Sequence, residues 1–486
     1  MKKVLLFNPP SGLYRRDNRC QNRVKDQTVN VVFPPMELLY CAAILEKEGH
    51  QVSVRDYPAH HSTWDRFHAD LKEIQPDIAI FTCTVATLEN DLRAAATIKE
   101  HRPDIVTAAK GEPLQDMDEE IIQNTAGLDI ILRGEVEGYI SDFAAAEDWS
   151  SLPGVTFLRE GRVVRNPVSE SYVDLDSLPF PARHLIDNKI YSSPETKNSL
   201  TTVTTSLGCP HKCIFCSVPL LTGSRVRFRS PESVVAELEE CINRYGIREF
   251  LFHADTFTLQ RKWVVDLCRS IVQKKLDIRW GCNSRVDTID SERIEWMKRA
   301  GCWVIGFGVE SGNDAHLELM KKRATANQAL EAIRLCRKHG VRSHAFFVFG
   351  FPWDTEESIR DLIGFAKRLD PDFFDFNLAF PLPGTELDRM VTQRGSISKE
   401  RLVRGGYAVG SIHTDTLSAE ELERWRRRAL WKMYLRPHYI IRTLWNAGSP
   451  SIAFNYIRAA FSRAGYLIFP GRKVDTYPGA RISGIS

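Results

Sequence analysis

Ser206-Leu207-Gly208-Cys209-Pro210-His211-Lys212-Cys213-Ile214-Phe215-Cys216-Ser217 follows directly on the apolar-alternating run Leu200–Thr205. Three cysteines in one tight loop after a strand are a metal-binding pattern. Three thiolates cannot fill the four metal positions of a cubane cluster that takes one cysteine per iron, so such a loop leaves one iron open. A structural zinc site is the alternative and needs a fourth ligand. His211 is the nearby candidate, poorly placed between two of the cysteines. A disulfide framework does not fit an odd number of thiols without an export signal.

The spacing Cys209-x3-Cys213-x2-Cys216, with Phe215 just before the last cysteine, resembles the signature of radical S-adenosylmethionine enzymes. In that family the open iron is chelated by the amino and carboxylate groups of S-adenosylmethionine, and an aromatic at this position lies near the adenine. The resemblance implies a [4Fe–4S] cluster on Cys209, Cys213 and Cys216, with these three as the catalytic metal ligands.

Before and after the loop, strands are expected at Leu200–Thr205, Glu249–Phe252, Ile278–Cys282, Val304–Val309, Ser343–Phe349 and Phe373–Ala379. Helical patterns separate them at Pro231–Arg244, Gln260–Lys274, Ser291–Ala300, Asn327–Lys338 and Thr355–Leu369. Six βα units match a partial barrel, and the family's core is a (βα)6 barrel whose chemistry sits at the carboxyl ends of the strands. Asp255, Arg285, Gly308, Glu310 and Ser311 fall at such ends. Gly308-Val309-Glu310-Ser311-Gly312 looks like the family's G-x-E-S-G segment, in which the glutamate accepts from the ribose hydroxyls. Arg285 suits the methionyl carboxylate, and Asp255 occupies a place where relatives carry acidic or polar residues. Each has a plainer reading: Asp255 as a helix cap, Glu310 paired with a lysine, Arg285 paired with Asp287.

Upstream, short β-rich runs alternate with helical patterns from Met1 to about Gly138, which predicts a doubly wound parallel sheet. Ligands of such sheets bind at strand carboxyl ends near a switch in strand order. Asn8-Pro9-Pro10, Pro34-Pro35-Met36-Glu37-Leu38 and Arg133-Gly134-Glu135-Val136-Glu137 resemble the cobalamin-binding domain attached to many radical S-adenosylmethionine enzymes. The resemblance implies cobalamin contacts from Asn8, Pro9, Thr82, Thr84, Gly111, Arg133, Gly134 and Glu135. The D-x-H-x-x-G ligand motif of other cobalamin proteins is absent, and Ala108-Ala109-Lys110-Gly111-Glu112 stands where paired glycines are usual. Without a protein imidazole the lower face of cobalt is left open or takes water.

The expected organisation is therefore α/β throughout: a Rossmann-like domain at 1–138, a linker with a β-hairpin around Glu160-Gly161 at 139–198, the partial barrel at 199–400, and a helical basic and aromatic tail at 401–486. The tail interleaves Trp425, Trp431, Tyr434, Tyr439 and Trp445 with arginines. Amphipathic helices of this kind dock on a core or lie on anionic membranes; docking is expected for Glu420–Trp445, with peripheral contact at the inner face of a membrane open. Hydrophobic content of 43%, charged content of 26% and a formal charge of +3 over 486 residues are those of a globular protein without a nucleic-acid partner. The apolar run Val4–Phe7 is too short for a signal peptide. Eleven cysteines then imply a reducing cytosol, with Cys20, Cys41, Cys83, Cys241, Cys268, Cys282, Cys302 and Cys336 as core thiols.

The function implied is cobalamin-dependent methylation of an unactivated carbon by a 5′-deoxyadenosyl radical. The substrate is a hydrophobic small molecule, a lipid or tetrapyrrole, and the electron donor is an external low-potential reductant of the flavodoxin or ferredoxin type. The alternatives are an oxidative cyclase like the anaerobic magnesium-protoporphyrin ester cyclase, radical carbon–carbon coupling, and a sensor that binds cobalamin or a cluster without turnover.

Overall fold

The computed structural model describes residues 1–16, 23–24, 31–398 and 406–468; Cys20 and Phe469 lie outside them. In strand β1 (Lys3–Asn8), Val4 and Leu6 join one core cluster and Leu5 and Phe7 another. All four are buried, because alternate side chains of a strand face opposite sides of its sheet. Helices α1 (Met36–Lys47), α2 (Trp64–Ile74), α3 (Leu88–His101), α4 (Asp118–Asn124) and α5 (Ile140–Ala145) cover both sides. Leu38 and Leu39 of α1 and Phe143 of α5 pack on the Val4–Leu6 face; Phe67, Ala94, Ile98 and Ile121 of α2, α3 and α4 pack on the other.

Strands β2 (Gln51–Asp56), β3 (Ile78–Cys83), β4 (Val106–Gly111) and β5 (Ile130–Leu132) pair in parallel in the order β2-β1-β3-β4-β5. The winding reverses between β1 and β3, the crevice where such sheets take ligands. The expected linker hairpin, β6 (Val155–Arg159) and β7 (Arg162–Arg165), instead extends this sheet, β6 antiparallel to β5. Burial of Val155 and Phe157 against α5 and its neighbours draws it there.

Six parallel strands make the second sheet: β8 (Leu200–Thr204), then, past the short antiparallel pair β9 (Ser206–Leu207) and β10 (Arg227–Phe228), β11 (Glu249–His253), β12 (Arg279–Arg285), β13 (Cys302–Glu310), β14 (Arg342–Phe349) and β15 (Phe373–Leu378). They neighbour one another in chain order, and among the described residues β15 does not pair back to β8. This is an open barrel. The helices that follow these strands are α6 (Val218–Leu221), α7 (Pro231–Tyr245), α8 (Arg261–Gln273), α9 (Ser291–Arg299), α10 (Asp314–Leu319), α11 (Ala326–His339), α12 (Glu356–Leu369) and α13 (Glu386–Gln393).

The tail forms α14 (Ala419–Tyr434), α15 (Pro437–Trp445) and α16 (Pro450–Ile468). Docking holds for α14: Leu422, Trp425, Leu430 and Met433 are buried in the barrel core. Arg426 Nε donates to Phe376 O at 2.7 Å, occupying a carbonyl on the edge strand β15. Asn455 Nδ2 of α16 donates to Glu195 O at 2.6 Å, just before β8. The tail thus bridges the two edges of the open barrel.

Candidate active site

The cysteine loop connects β8 to α6 and is anchored at several points. Gly208 N donates to Asp255 Oδ2 at 2.7 Å, as does Thr222 Oγ1 at 2.9 Å. Ile214 is buried beside Met320, Phe351 and Leu387, and its N–H and carbonyl bond to Met320 O and Leu387 N. Phe215 sits 5.9 Å from the Phe351 ring. Asp255 therefore does not cap a helix, since α8 begins after Gln260; its carboxylate clamps the ends of the cysteine loop.

Cys209, Cys213, Phe215 and Cys216 line a cavity of about 1120 Å³ inside the barrel, together with Asp255, Arg285, Gly308 and Glu310. The lumen is hollow here because Gly281, Gly306 and Gly308 face it from β12 and β13. A Cβ on Gly308 would lie 2.7 Å from Lys322 Nζ. Glu310 ends β13 at a bulge with φ +61°, an uncommon conformation for glutamate. It pairs with the buried Lys322, Nζ to Oε1 at 2.7 Å. Arg285 is held by Asp287 at 2.9 Å and by Lys322 O at 2.6 Å, while its Nη1 lies 4.0 Å from Cys213 Sγ. The plainer pairings of Arg285 and Glu310 are thus present, but inside the cavity beside the cysteines. Ser311 is turned away: its hydroxyl accepts from Asn313 N before α10.

Burial pushes the Cys216 thiol up to about 12. It also raises Cys213, against the pull of Lys322 and Arg285. Half-buried thiols of this kind give up their protons to a soft metal, and three of them beside an arginine, a lysine and a glutamate fit a cluster with a zwitterionic nucleoside ligand. Among the described residues no three His, Cys, Asp or Glu side chains converge on a single-ion site. His211 Nε2 is buried without a hydrogen-bond partner.

A second cavity lies between the carboxyl edge of the first sheet and the barrel. Asn8, Thr82, Gly111, Gly134 and Glu135 line it from one side, and Thr202, Thr204, Val218, Asp255 and His253 from the other. Thr82 Oγ1 donates to Asn8 Oδ1 at 2.5 Å and Asn8 Nδ2 to Asp56 at 3.0 Å, directly at the strand-order switch. Small polar groups and the apolar Pro34, Pro35 and Leu132 line this cavity together, a donor set that fits the amide arms of a corrin. Lys110, in place of a glycine, faces this cavity and pairs with Glu37 at 2.7 Å.

Three expected contacts do not reach it. Arg133 points into its own domain, bonded to Asp118 at 3.0 Å and Thr156 at 2.9 Å. Thr84 is buried against Thr87, and Pro9 is buried in the loop after β1. Glu135 reaches the cavity but also binds Arg227 of β10 at 2.8 Å, joining the two halves. Sequence reasoning missed Lys322 and the buried trio Arg183–Glu237–Arg229 beneath this junction. The run Lys321-Lys322-Arg323 after α10 was the one visible signal among them.

Residues 203–366 match the family model described as the radical SAM superfamily, and residues 23–144 match that of the B12 binding domain. An uncharacterised methyltransferase of Pyrococcus horikoshii is 29% identical over 446 residues, 91% of this chain and 94% of that protein. The anaerobic magnesium-protoporphyrin IX monomethyl ester cyclase of Cereibacter sphaeroides is 26% identical over 374 residues, 73% of this chain and 60% of that one. The fold is similar to that of the radical S-adenosylmethionine methyltransferase TsrM of Kitasatospora setae, solved with cobalamin and a [4Fe–4S] cluster bound. There the TM-score is 0.68 at 18% identity, covering 96% of this chain and 99% of that one.

Proposed function

This chain belongs to the radical S-adenosylmethionine enzymes that carry a cobalamin-binding domain, and we propose that it methylates an unactivated carbon of a large hydrophobic substrate, a lipid of the hopanoid type or a tetrapyrrole. Its cofactors are a [4Fe–4S] cluster, S-adenosylmethionine and cobalamin. When bound, they supply an electron, a 5′-deoxyadenosyl radical that abstracts hydrogen, and a transferable methyl group.

The protein's part is to hold and to exclude. Cys209, Cys213 and Cys216 ligate the cluster, and Asp255 fixes their loop. Arg285 Nη1 receives the methionyl carboxylate beside Cys213, and Glu310, aimed inward by its bulge, accepts from the ribose hydroxyls. Asn8, Thr82, Gly111, Gly134 and Glu135 receive the corrin and its tail. The apolar lumen keeps water from the radical. The observation that carries the reading is adjacency: Val218 and Asp255, at the foot of the cysteine loop, line both cavities, so the two cofactor sites share a wall.

An external one-electron donor of low potential completes the system, and the same reading includes peripheral contact with a membrane through the tail. The similarity to a protoporphyrin ester cyclase favours oxidative cyclisation as the second reading. Anaerobic protein reconstituted with iron, sulfide and cobalamin is expected to form 5′-deoxyadenosine and to place an isotope-labelled methyl group in product from a lipid or pigment extract. Cys213→Ala abolishes both. 5′-Deoxyadenosine with an oxidised, unmethylated product would favour the cyclase reading, and none at all would refute both.

A further inference from the structure

We propose that the exposed apolar face of α15 and α16 docks on an anionic lipid bilayer, and that the barrel cavity opens within that face, so that a lipid-soluble substrate enters from the membrane. The inference rests on the hydrophobic substrate and the membrane contact proposed above, and it adds the docking face, the charge of the lipid and the route of entry. Trp445 is 86% exposed, Ile441 66%, Phe454 64% and Leu435 63%, after Met1 the most exposed large apolar side chains among the described residues. Leu435 is at once exposed and a wall of the 1120 Å³ cavity, as are Ile440, Leu444 and Ile457. The active-site cavity therefore reaches the outer surface beside these four apolar side chains.

Charge selects the occupant. From Arg424 to Ile468 the sequence carries nine Lys and Arg and no Asp or Glu. Arg436 and Arg442 are taken by Asp370, but Lys432 and Arg458 are exposed. Basic side chains around bulky apolar ones are the composition of an interfacial helix. Among the described residues no helix is long and apolar enough to cross a membrane, so the contact is with the bilayer surface. A substrate drawn from the bilayer passes Leu435 and Ile440, then Trp431 and Tyr434, toward the cysteine loop.

The test uses the full chain and vesicles of phosphatidylcholine, alone or mixed equally with phosphatidylglycerol. Wild type is expected to float with the mixed vesicles and much less with the neutral ones. The double variant Ile441→Ser/Trp445→Ser, away from the cavity lining, is expected to lose at least about tenfold in partitioning while forming 5′-deoxyadenosine at the wild-type rate. Acyl chains carrying bromine should quench wild-type tryptophan fluorescence more than that of Trp445→Phe, a change too mild to disturb folding. Equal flotation of wild type and double variant, or equal quenching in Trp445→Phe, overturns the proposal. So does a lipid-free dimer that the double variant dissociates, which would assign the face to a second copy. Vesicle binding without 5′-deoxyadenosine supports the docking and refutes the catalytic reading instead.

Discussion

Gly208→Ala tests how tightly the cysteine loop is held. Gly208 has φ +89°, and an added Cβ would lie 2.9 Å from the Arg225 carbonyl carbon, 3.3 Å from Val226 Cα, and closer still to the Arg225 oxygen. Comfortable carbon contacts begin near ~3.5 Å, so the loop must move by on the order of 1 Å, on top of about 1–2 kcal/mol for a left-handed alanine. The neighbouring anchors cannot absorb that shift: Gly208 N is 2.7 Å from Asp255 and Cys209 N is 3.2 Å from Gly223 O. A displacement of ~1 Å at a reacting centre costs roughly 100-fold in rate. Gly246→Ala is the control, with φ +68° and nothing within 4 Å of the added Cβ. After anaerobic reconstitution, iron content and visible absorbance should fall in Gly208→Ala, with 5′-deoxyadenosine formation down about 100-fold; Gly246→Ala should keep both. A Gly208→Ala protein with wild-type iron and rate would refute the claim that this backbone positions the cluster.

Glu310→Gln keeps the side chain's shape and removes its charge, so S-adenosylmethionine affinity should drop about 10- to 100-fold by calorimetry; unchanged affinity would remove Glu310 from the site. Glu237 is buried, yet Arg183 and Arg229 outweigh that burial and hold its carboxyl below the usual value. Its stabilisation is therefore present above the unfolded carboxylate value and lost as pH falls through the folded one. Denaturant titrations of Glu237→Gln should show a deficit of about 3–5 kcal/mol at neutral pH that shrinks on acidification, and a deficit independent of pH would contradict the assignment. Leu430→Ala should cost about 2–5 kcal/mol in the same titration, because the side chain is fully buried between α14 and the barrel. A loss within error of zero would mean that α14 does not stabilise the open edge.

Local pattern made the strands legible. Val4–Phe7 and Ile78–Phe81 bury continuous apolar residues, and the structure places strands over both and over most of each of the six barrel runs. The cysteine loop, Arg285 and Glu310 were readable because each follows such a run, and strand ends converge in a parallel barrel. What pairs across long stretches of chain was not. The Glu160-Gly161 turn announces a hairpin but not the edge it joins, which depends on the hydrogen-bonding edge of the three-residue β5 left open by β4. Arg133 and Glu135 both flank Gly134, and only distant partners separate them: Arg133 turns to Asp118 and Thr156, while Glu135 lines the cavity. Asp255 became a clamp through partners 47 and 33 residues away, a contact with no periodic signature.

The claim on which the rest depends is that three thiolates leave one iron for S-adenosylmethionine. Electron–nuclear double resonance of the reduced, reconstituted protein with S-adenosylmethionine labelled at its amino nitrogen and carboxylate oxygen measures this directly. Hyperfine coupling from both labelled atoms to the cluster, absent in Cys213→Ala, is the expected result. A reduced cubane that shows neither coupling in the presence of bound S-adenosylmethionine would contradict it.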